Sequence, residues 1–357
     1  MSYFNDRLLL ISDSTNSIDL FRLIDNQIIR YRFDNLTQNF IENTVTEDAF
    51  IEFNATIDEK DTIYLIHQDM SLDLILTLLN GENREVIKLT EKPIQEVYYL
   101  NLTIYRGEPH IIYFILTSKP DKEYRIYHHY FNGESWITNI VDDIKVRELL
   151  NPMKVFRTDK ELIIAYYDMI EEEHIYIKTF NFYRREWKEK IKLTNNKENK
   201  LYVDFILKDN QLHMTYCQYE EGNLVVIYER LIYEDGVVKK EISRRLSNPE
   251  NPQNPTVLYY EGKLWVSWVE YDNVMSCYSH DMGNSWSPIY LWNESKGKDI
   301  VRYGYHRAFP DETILNYSFG KINPDISFIG FGPTYDTTEI PLKKKAPLSF
   351  PNNLEEI

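Results

Sequence analysis

The sequence predicts an all-β fold, a single propeller of small antiparallel sheets arranged around an axis. Three observations lead there. Short β-type runs recur about every fifty residues, polar turns punctuate them at matching places, and the 28 tyrosines and 17 phenylalanines among 357 residues favour half-buried pleated strands. The repeat anchors are Leu8, Ile63, Ile111, Leu162, Leu212, Leu264 and Ile314, separated by 55, 48, 51, 50, 52 and 50 residues. Four short strands per unit, seven times over, predict seven four-stranded blades, because one such sheet cannot bury both its faces alone. Sustained helical periodicity is absent; only Asp142–Leu150 allows one helical turn.

The units are legible in order. Unit 1 opens at Leu8–Ser12 and shows no inner strand before it. From unit 2 onward each anchor follows a polar turn: Asp58–Asp61, Arg106–Pro109, Thr158–Lys160, Lys208–Asn210, Glu261–Lys263 and Pro310–Glu312. Second runs follow at Leu72–Leu79, Tyr124–Phe131, His174–Tyr183, Leu224–Tyr233 and Val274–His280. A third turn then leads to a tryptophan in units 3, 4 and 6. Trp136 and Trp187 lie 51 residues apart, and Trp187 and Trp286 lie 99 apart, two steps of the repeat. Polar or proline-containing stretches at Glu91–Pro93, Thr194–Asn199, Ser247–Pro255 and Asn293–Lys298 read as connections between blades. The propeller is thus expected over residues 1–342, closed by one terminus adding a strand to the other's sheet, which removes open edges. Residues 343–357 are expected to form a surface or mobile tail.

Composition bounds the function. A net charge of −16 excludes the basic stripe of a phosphate-tracking nucleic-acid protein. No run approaches the about 20 apolar residues of a membrane-spanning helix, and the N-terminus lacks the basic and long apolar regions of a signal peptide. A cytoplasmic monomer without cofactor is the expectation. Cys217 and Cys277 have no metal-ligand spacing and read as core thiols. The eight histidines form no HExxH, and the adjacent His128 and His129 must point to opposite faces of a strand, so no metal site is expected. No P-loop, GxGxxG or GxSxG occurs.

The hairpin Tyr278–Trp286 carries Ser279-x-Asp281-x-Gly283-x-x-Trp286. Gly283 can take the positive φ of a tight turn, and Asp281 can accept from turn amides. This motif resembles the Asp-box, or BNR repeat, of the sialidase-like propellers. The resemblance is full over this hairpin, partial in units 3 and 4, and absent elsewhere. It implies that Ser279, Asp281, Gly283 and Trp286 hold a hairpin away from the ligand face. It also implies what a sialidase would need: an Arg-Ile-Pro segment, an arginine triad and a Tyr/Glu nucleophile pair. Arg-Ile-Pro is missing, and Arg22, Arg30 and Arg32 read as solvent-facing positions, so sialidase activity is not expected.

Propeller ligands are expected where inner strands begin. Those openings offer Asp48, Glu96, Tyr98, Tyr202, Asp204, Arg302 and Tyr303. Carboxylates beside tyrosines suit a sugar through hydroxyl hydrogen bonds and ring stacking. A second pattern lies in the turns between second and third strands, which carry Asp69, Asp121, Asp168, Glu171–Glu173, Glu220 and Glu270 and predict a ring of negative charge. The reading is a non-enzymatic module binding a protein or glycan at this face. The alternative is a carbohydrate-active enzyme, a hydrolase or lyase, using channel carboxylates.

Overall fold

The computed structural model describes residues 8–343, apart from 38, 235–236, 310–311 and 323–325. Its strands form six hydrogen-bonded sheets. Four are four-stranded or nearly so and follow the chain in order, each beginning with a strand nearest the axis: Ala49–Ile57, Val97–Tyr105, Lys154–Arg157 and Lys200–Lys208. A fifth begins with Gln253–Tyr260. Second strands such as Glu161–Met169 and Lys263–Glu270 are buried almost throughout, because both of their faces are covered by neighbouring sheets.

The sixth sheet has seven strands and joins the two ends of the chain. Leu8–Ser12 pairs in parallel with Val301–Arg307, Leu9 opposite Gly304 and Ser12 opposite Arg307. Leu8–Ser12 therefore lies beside an inner strand and runs with it, where the sequence suggested that unit 1 lacked one. Its five residues are all buried, and the reason is visible in how they divide. Leu8 and Leu10 pack with Leu20, Val301 and Tyr303, whereas Leu9 and Ile11 pack with Phe21, Phe53 and Leu65. The terminal strand Thr337–Ile340 does not close the first sheet. It pairs antiparallel with Ile289–Trp292, extending the sheet that starts at Gln253. Asp142–Leu150 makes no helical turn; the strand Trp136–Lys145 runs into it, and the one helical element is the 3-10 turn Asn293–Ser295, both statements being of the described residues. Of the predicted tail, only Lys343 falls within those residues.

The core is divided rather than central. Among the described residues the apolar clusters form mainly between neighbouring sheets, and one joins Leu8, Leu10 and Leu20 to Val301 and Tyr303 within the sheet that links the two ends. Cys217 and Cys277 are buried free thiols in one such cluster. No helix among the described residues is long and apolar enough to cross a membrane.

The arginines of the first repeat are not free on the surface. Arg30 and Arg32 converge on buried Asp19 at 2.7 and 2.9 Å, and Arg32 also reaches Asp13 at 2.7 Å. Alternation places them on one strand face, and a carboxylate with no solvent contact needs such partners.

Candidate functional site: the axial channel

Inner strands in three repeats carry an irregularity near their start. Tyr99, Tyr202 and Asn254 have positive φ, and the register slips at the same places. A backbone that leaves its ladder must find other partners for its N–H groups. Here the preceding repeat supplies them, from its inner strand or the residues just before it. Tyr99 N–H donates to Glu52 Oε1 at 3.0 Å, Tyr202 N–H to Asn151 Oδ1 at 3.2 Å, and Val257 N–H to Asp204 Oδ2 at 3.0 Å. Asp204 and Glu52 are thus straps between neighbouring sheets, both buried.

Two of the seven residues singled out from the sequence come together. Asp204 lies 3.9 Å from Lys154 Nζ and within the field of Arg302. Lys154 Nζ sits 3.6 Å from the centre of the Tyr317 ring, and the Arg302 guanidinium 4.3 Å from the same ring. Arg302 Nε donates to Thr256 Oγ1 at 3.1 Å. Burial, with Arg302 beside it, pulls the Lys154 ammonium down to about 7, although Asp204 opposes this. Burial likewise raises the Asp204 carboxyl, against the pull of Lys154 and Arg302. Two cations face one carboxylate. Lys154 and Tyr317 gave no signal in the sequence, since neither falls in a motif; position on an inner strand and its successor was the only clue.

The other five lie apart from this cluster. Asp48 is exposed, and Thr46 Oγ1 donates to it at 2.7 Å. Glu96 and Tyr98 line a separate small cavity of about 360 Å³. Tyr202 is packed into the apolar cluster around Cys217. Tyr303 is not at the rim. It alternates to the opposite face from Arg302, is 1% exposed, and its hydroxyl donates to Ser327 O at 2.5 Å.

The large cavity, about 1320 Å³, opens at the other end of the channel, where the inner strands finish. Its lining includes Asn54, Thr56, Asn101, Thr103, His306, Asn316 and the ring of Tyr317. Asn54 Oδ1 is a buried acceptor with no partner among the described residues. Burial lowers His306 to about 4, so its imidazole is neutral. The sequence argument looked for the ligand where inner strands begin, but there the polar side chains serve as straps.

Elsewhere the predicted patterns are engaged internally. Asp281 accepts from the Ser285 hydroxyl at 2.6 Å, from Ser285 N–H at 2.8 Å and from the Ser279 hydroxyl at 2.7 Å, and these bonds hold its carboxyl down to about 2. Gly283 has φ of 92° and faces Tyr228 of the preceding sheet, whose ring also meets Trp286 at 4.8 Å. In the acidic ring, Asp168 binds Lys190 at 2.7 Å, Glu172 binds Arg147 at 2.7 Å and Glu220 binds Arg245 at 3.4 Å. Glu270 accepts from Trp268 Nε1–H and burial pushes it up to about 7, so that ring is weaker than its composition suggests. No group of three His, Cys, Asp or Glu side chains among the described residues is placed to hold a metal ion.

No family model and no curated protein matches the chain. Solved structures do. An ulvan lyase of a new polysaccharide lyase family, bound to -[GlcA(1-4)Rha3S]-, superposes with a TM-score of 0.60 at 9% identity over 89% of each chain. The polysaccharide lyase Uly1 gives 0.54 at 9% identity, covering 88% of this chain and 86% of that one. The fucose-recognising lectin of Aleuria aurantia, a six-bladed propeller, gives 0.50 at 10% identity over 81% of this chain and 95% of the lectin. At such identities the likeness is one of fold: this chain has the all-β architecture of propeller lectins and lyases.

Proposed function

We propose that this protein is a seven-bladed propeller that binds a glycan, without cleaving it, in the axial cavity at the ends of its inner strands. The sevenfold sequence repeat supports the blade count, with repeats one and seven sharing a sheet through their inner strands. The observation that carries the function is the cavity. At about 1320 Å³ it exceeds the about 300–1,000 Å³ typical of small-ligand pockets, and its amides and hydroxyls surround an unpartnered acceptor, Asn54 Oδ1. Amide-bearing walls with the aromatic residues Tyr64, Phe156 and Tyr317 suit sugar hydroxyls and a sugar face. The Asp-box hairpin is read as architectural, since its side chains are engaged by its own turn and the neighbouring sheet.

A hydrolase built on paired carboxylates is disfavoured, because buried Glu52 and Asp204 accept backbone amides. An eliminating enzyme is the second reading, favoured by one observation: neutral His306 and the Tyr317 phenol line the same cavity. The test is a thermal-shift screen against oligosaccharides, followed by calorimetry and by assays for new reducing ends and unsaturated sugars. A ligand at about 100 times its Kd stabilises the native state by about 2.7 kcal/mol. Binding that Asn54→Leu weakens, with no chain cleavage, is the expected result. A flat screen overturns the glycan reading, and turnover overturns the non-enzymatic one.

A further inference from the structure

We infer that the axial cavity takes an acidic saccharide chain, its carboxylate or sulfate groups received by Arg84, Arg106 and Arg157. The inference rests on the glycan reading above and specifies its ligand. The whole chain carries −16, yet the cavity lining holds five basic residues (Lys60, Arg84, Arg106, Arg157, Arg307) against four acidic ones. Local charge there opposes the charge of the molecule. Such an inversion in a concave, low-dielectric setting focuses a field toward an incoming anion.

The partners of these side chains sharpen the argument. Arg84, Arg106 and Arg157 belong to the second, third and fourth repeats and line the same mouth. None has an ion pair among the described residues; Arg106 makes only ring contacts, 5.3 Å from the centre of Tyr105 and 5.8 Å from that of Tyr183. The acidic side of the lining is partly committed: Asp58 accepts from Lys60 N–H at 2.8 Å, from Thr62 N–H at 2.9 Å and from the Tyr64 hydroxyl at 3.3 Å. Several cations elsewhere are paired, as Arg30, Arg32, Arg125, Arg147 and Lys190 are. Three unpaired planar forks on one rim match successive planar carboxylates or sulfates along a polymer.

A second observation is independent of the rim. The Tyr317 ring that lines the cavity has Lys154 and Arg302 stacked against it, with Asp204 as their nearby carboxylate. Lys154 is 8% exposed and has no hydrogen-bond acceptor among the described residues. Two cations therefore share one carboxylate beside a ring of the cavity wall. That local excess adds to the attraction of the arginine rim for an anion, an attraction a neutral glycan does not share.

The test uses the full chain and calorimetry with a galacturonate hexasaccharide and the same chain reduced to its neutral alcohol; a sulfated galactan hexasaccharide distinguishes the source of the anion. The acidic chain, uronate or sulfated, should bind at least about tenfold more tightly than the reduced one, and less tightly as salt is raised. Arg84→Gln, Arg106→Gln and Arg157→Gln together should lower that preference severalfold while leaving the melting temperature unchanged, because none of the three side chains holds an ion pair among the described residues. Equal affinity for acidic and reduced chains overturns the inference and leaves the glycan reading intact. So does a preference that the triple substitution leaves undiminished. Failure of every glycan to bind overturns both.

Discussion

Asp204→Asn separates a structural from a catalytic carboxylate. The substituted carboxamide keeps an oxygen for Val257 N–H, so the strap between sheets survives, but the negative charge is lost. Lys154 and Arg302 then share the Tyr317 ring without a carboxylate. Asp204 and Lys154 side chains are 3% and 8% exposed and 3.9 Å apart. Unit charges at that distance interact by about 4 kcal/mol at an effective dielectric of 20, and breaking a buried pair typically costs about 3–5 kcal/mol. A loss near 3 kcal/mol is therefore expected by guanidinium titration at neutral pH, with the slope of the transition unchanged. Lys154→Met added to Asp204→Asn should recover part of it, since one uncompensated charge is removed. A carboxylate kept for chemistry behaves oppositely, and its removal tends to stabilise. Equal or greater stability in Asp204→Asn, or no recovery in the double variant, refutes the reasoning.

Three further outcomes follow from the same geometry. Lys154 has a folded pKa of about 7, well below the 10.5 of the free side chain, so the unfolded chain binds more protons between these values and stability from this group rises with pH across that window; Lys154→Met should flatten that part of the stability profile. His110 and His213 are lowered to about 3 by burial, so acid protonates the unfolded chain first and stability falls as pH drops below about 6.5; His213→Leu should reduce the steepness of acid unfolding followed by circular dichroism. Gly283→Ala would place a methyl 2.2 Å from the Tyr228 hydroxyl at a φ of 92°, and a loss of about 2 kcal/mol or more is expected in denaturant titration.

Much of the fold was written in the sequence as spacing. Anchors about fifty residues apart mark second strands, which are apolar on both faces because each is sandwiched between sheets. The sequence was silent where that logic fails. Leu8–Ser12 looks like any second strand, since a wholly apolar run cannot say which neighbour it will pair with; its parallel partner lies almost three hundred residues away. Thr337–Ile340 is short and polar because it covers an edge.

The site was less legible. Asp204 and Arg302 share a cluster with Lys154 and Tyr317, but none of the seven residues singled out lines the large cavity, and alternation turns Tyr303 to the other face. Asn54, Asn101, His306 and Tyr317 escaped notice: single polar residues at strand ends form no motif, and only closure of the ring brings them together. The Ser279–Trp286 hairpin stood out in sequence because a tight turn demands particular residues at fixed offsets, whereas a binding cavity demands none.

The central claim is that a glycan occupies the axial cavity. A crystal structure of the full chain with a saturating oligosaccharide from the screen tests it most directly. The account predicts sugar density against Tyr317 and Asn54 at the inner-strand ends, with anionic groups toward Arg106 and Arg157. Density in the clefts between outer strands, or at the acidic turns of the opposite face, would contradict it.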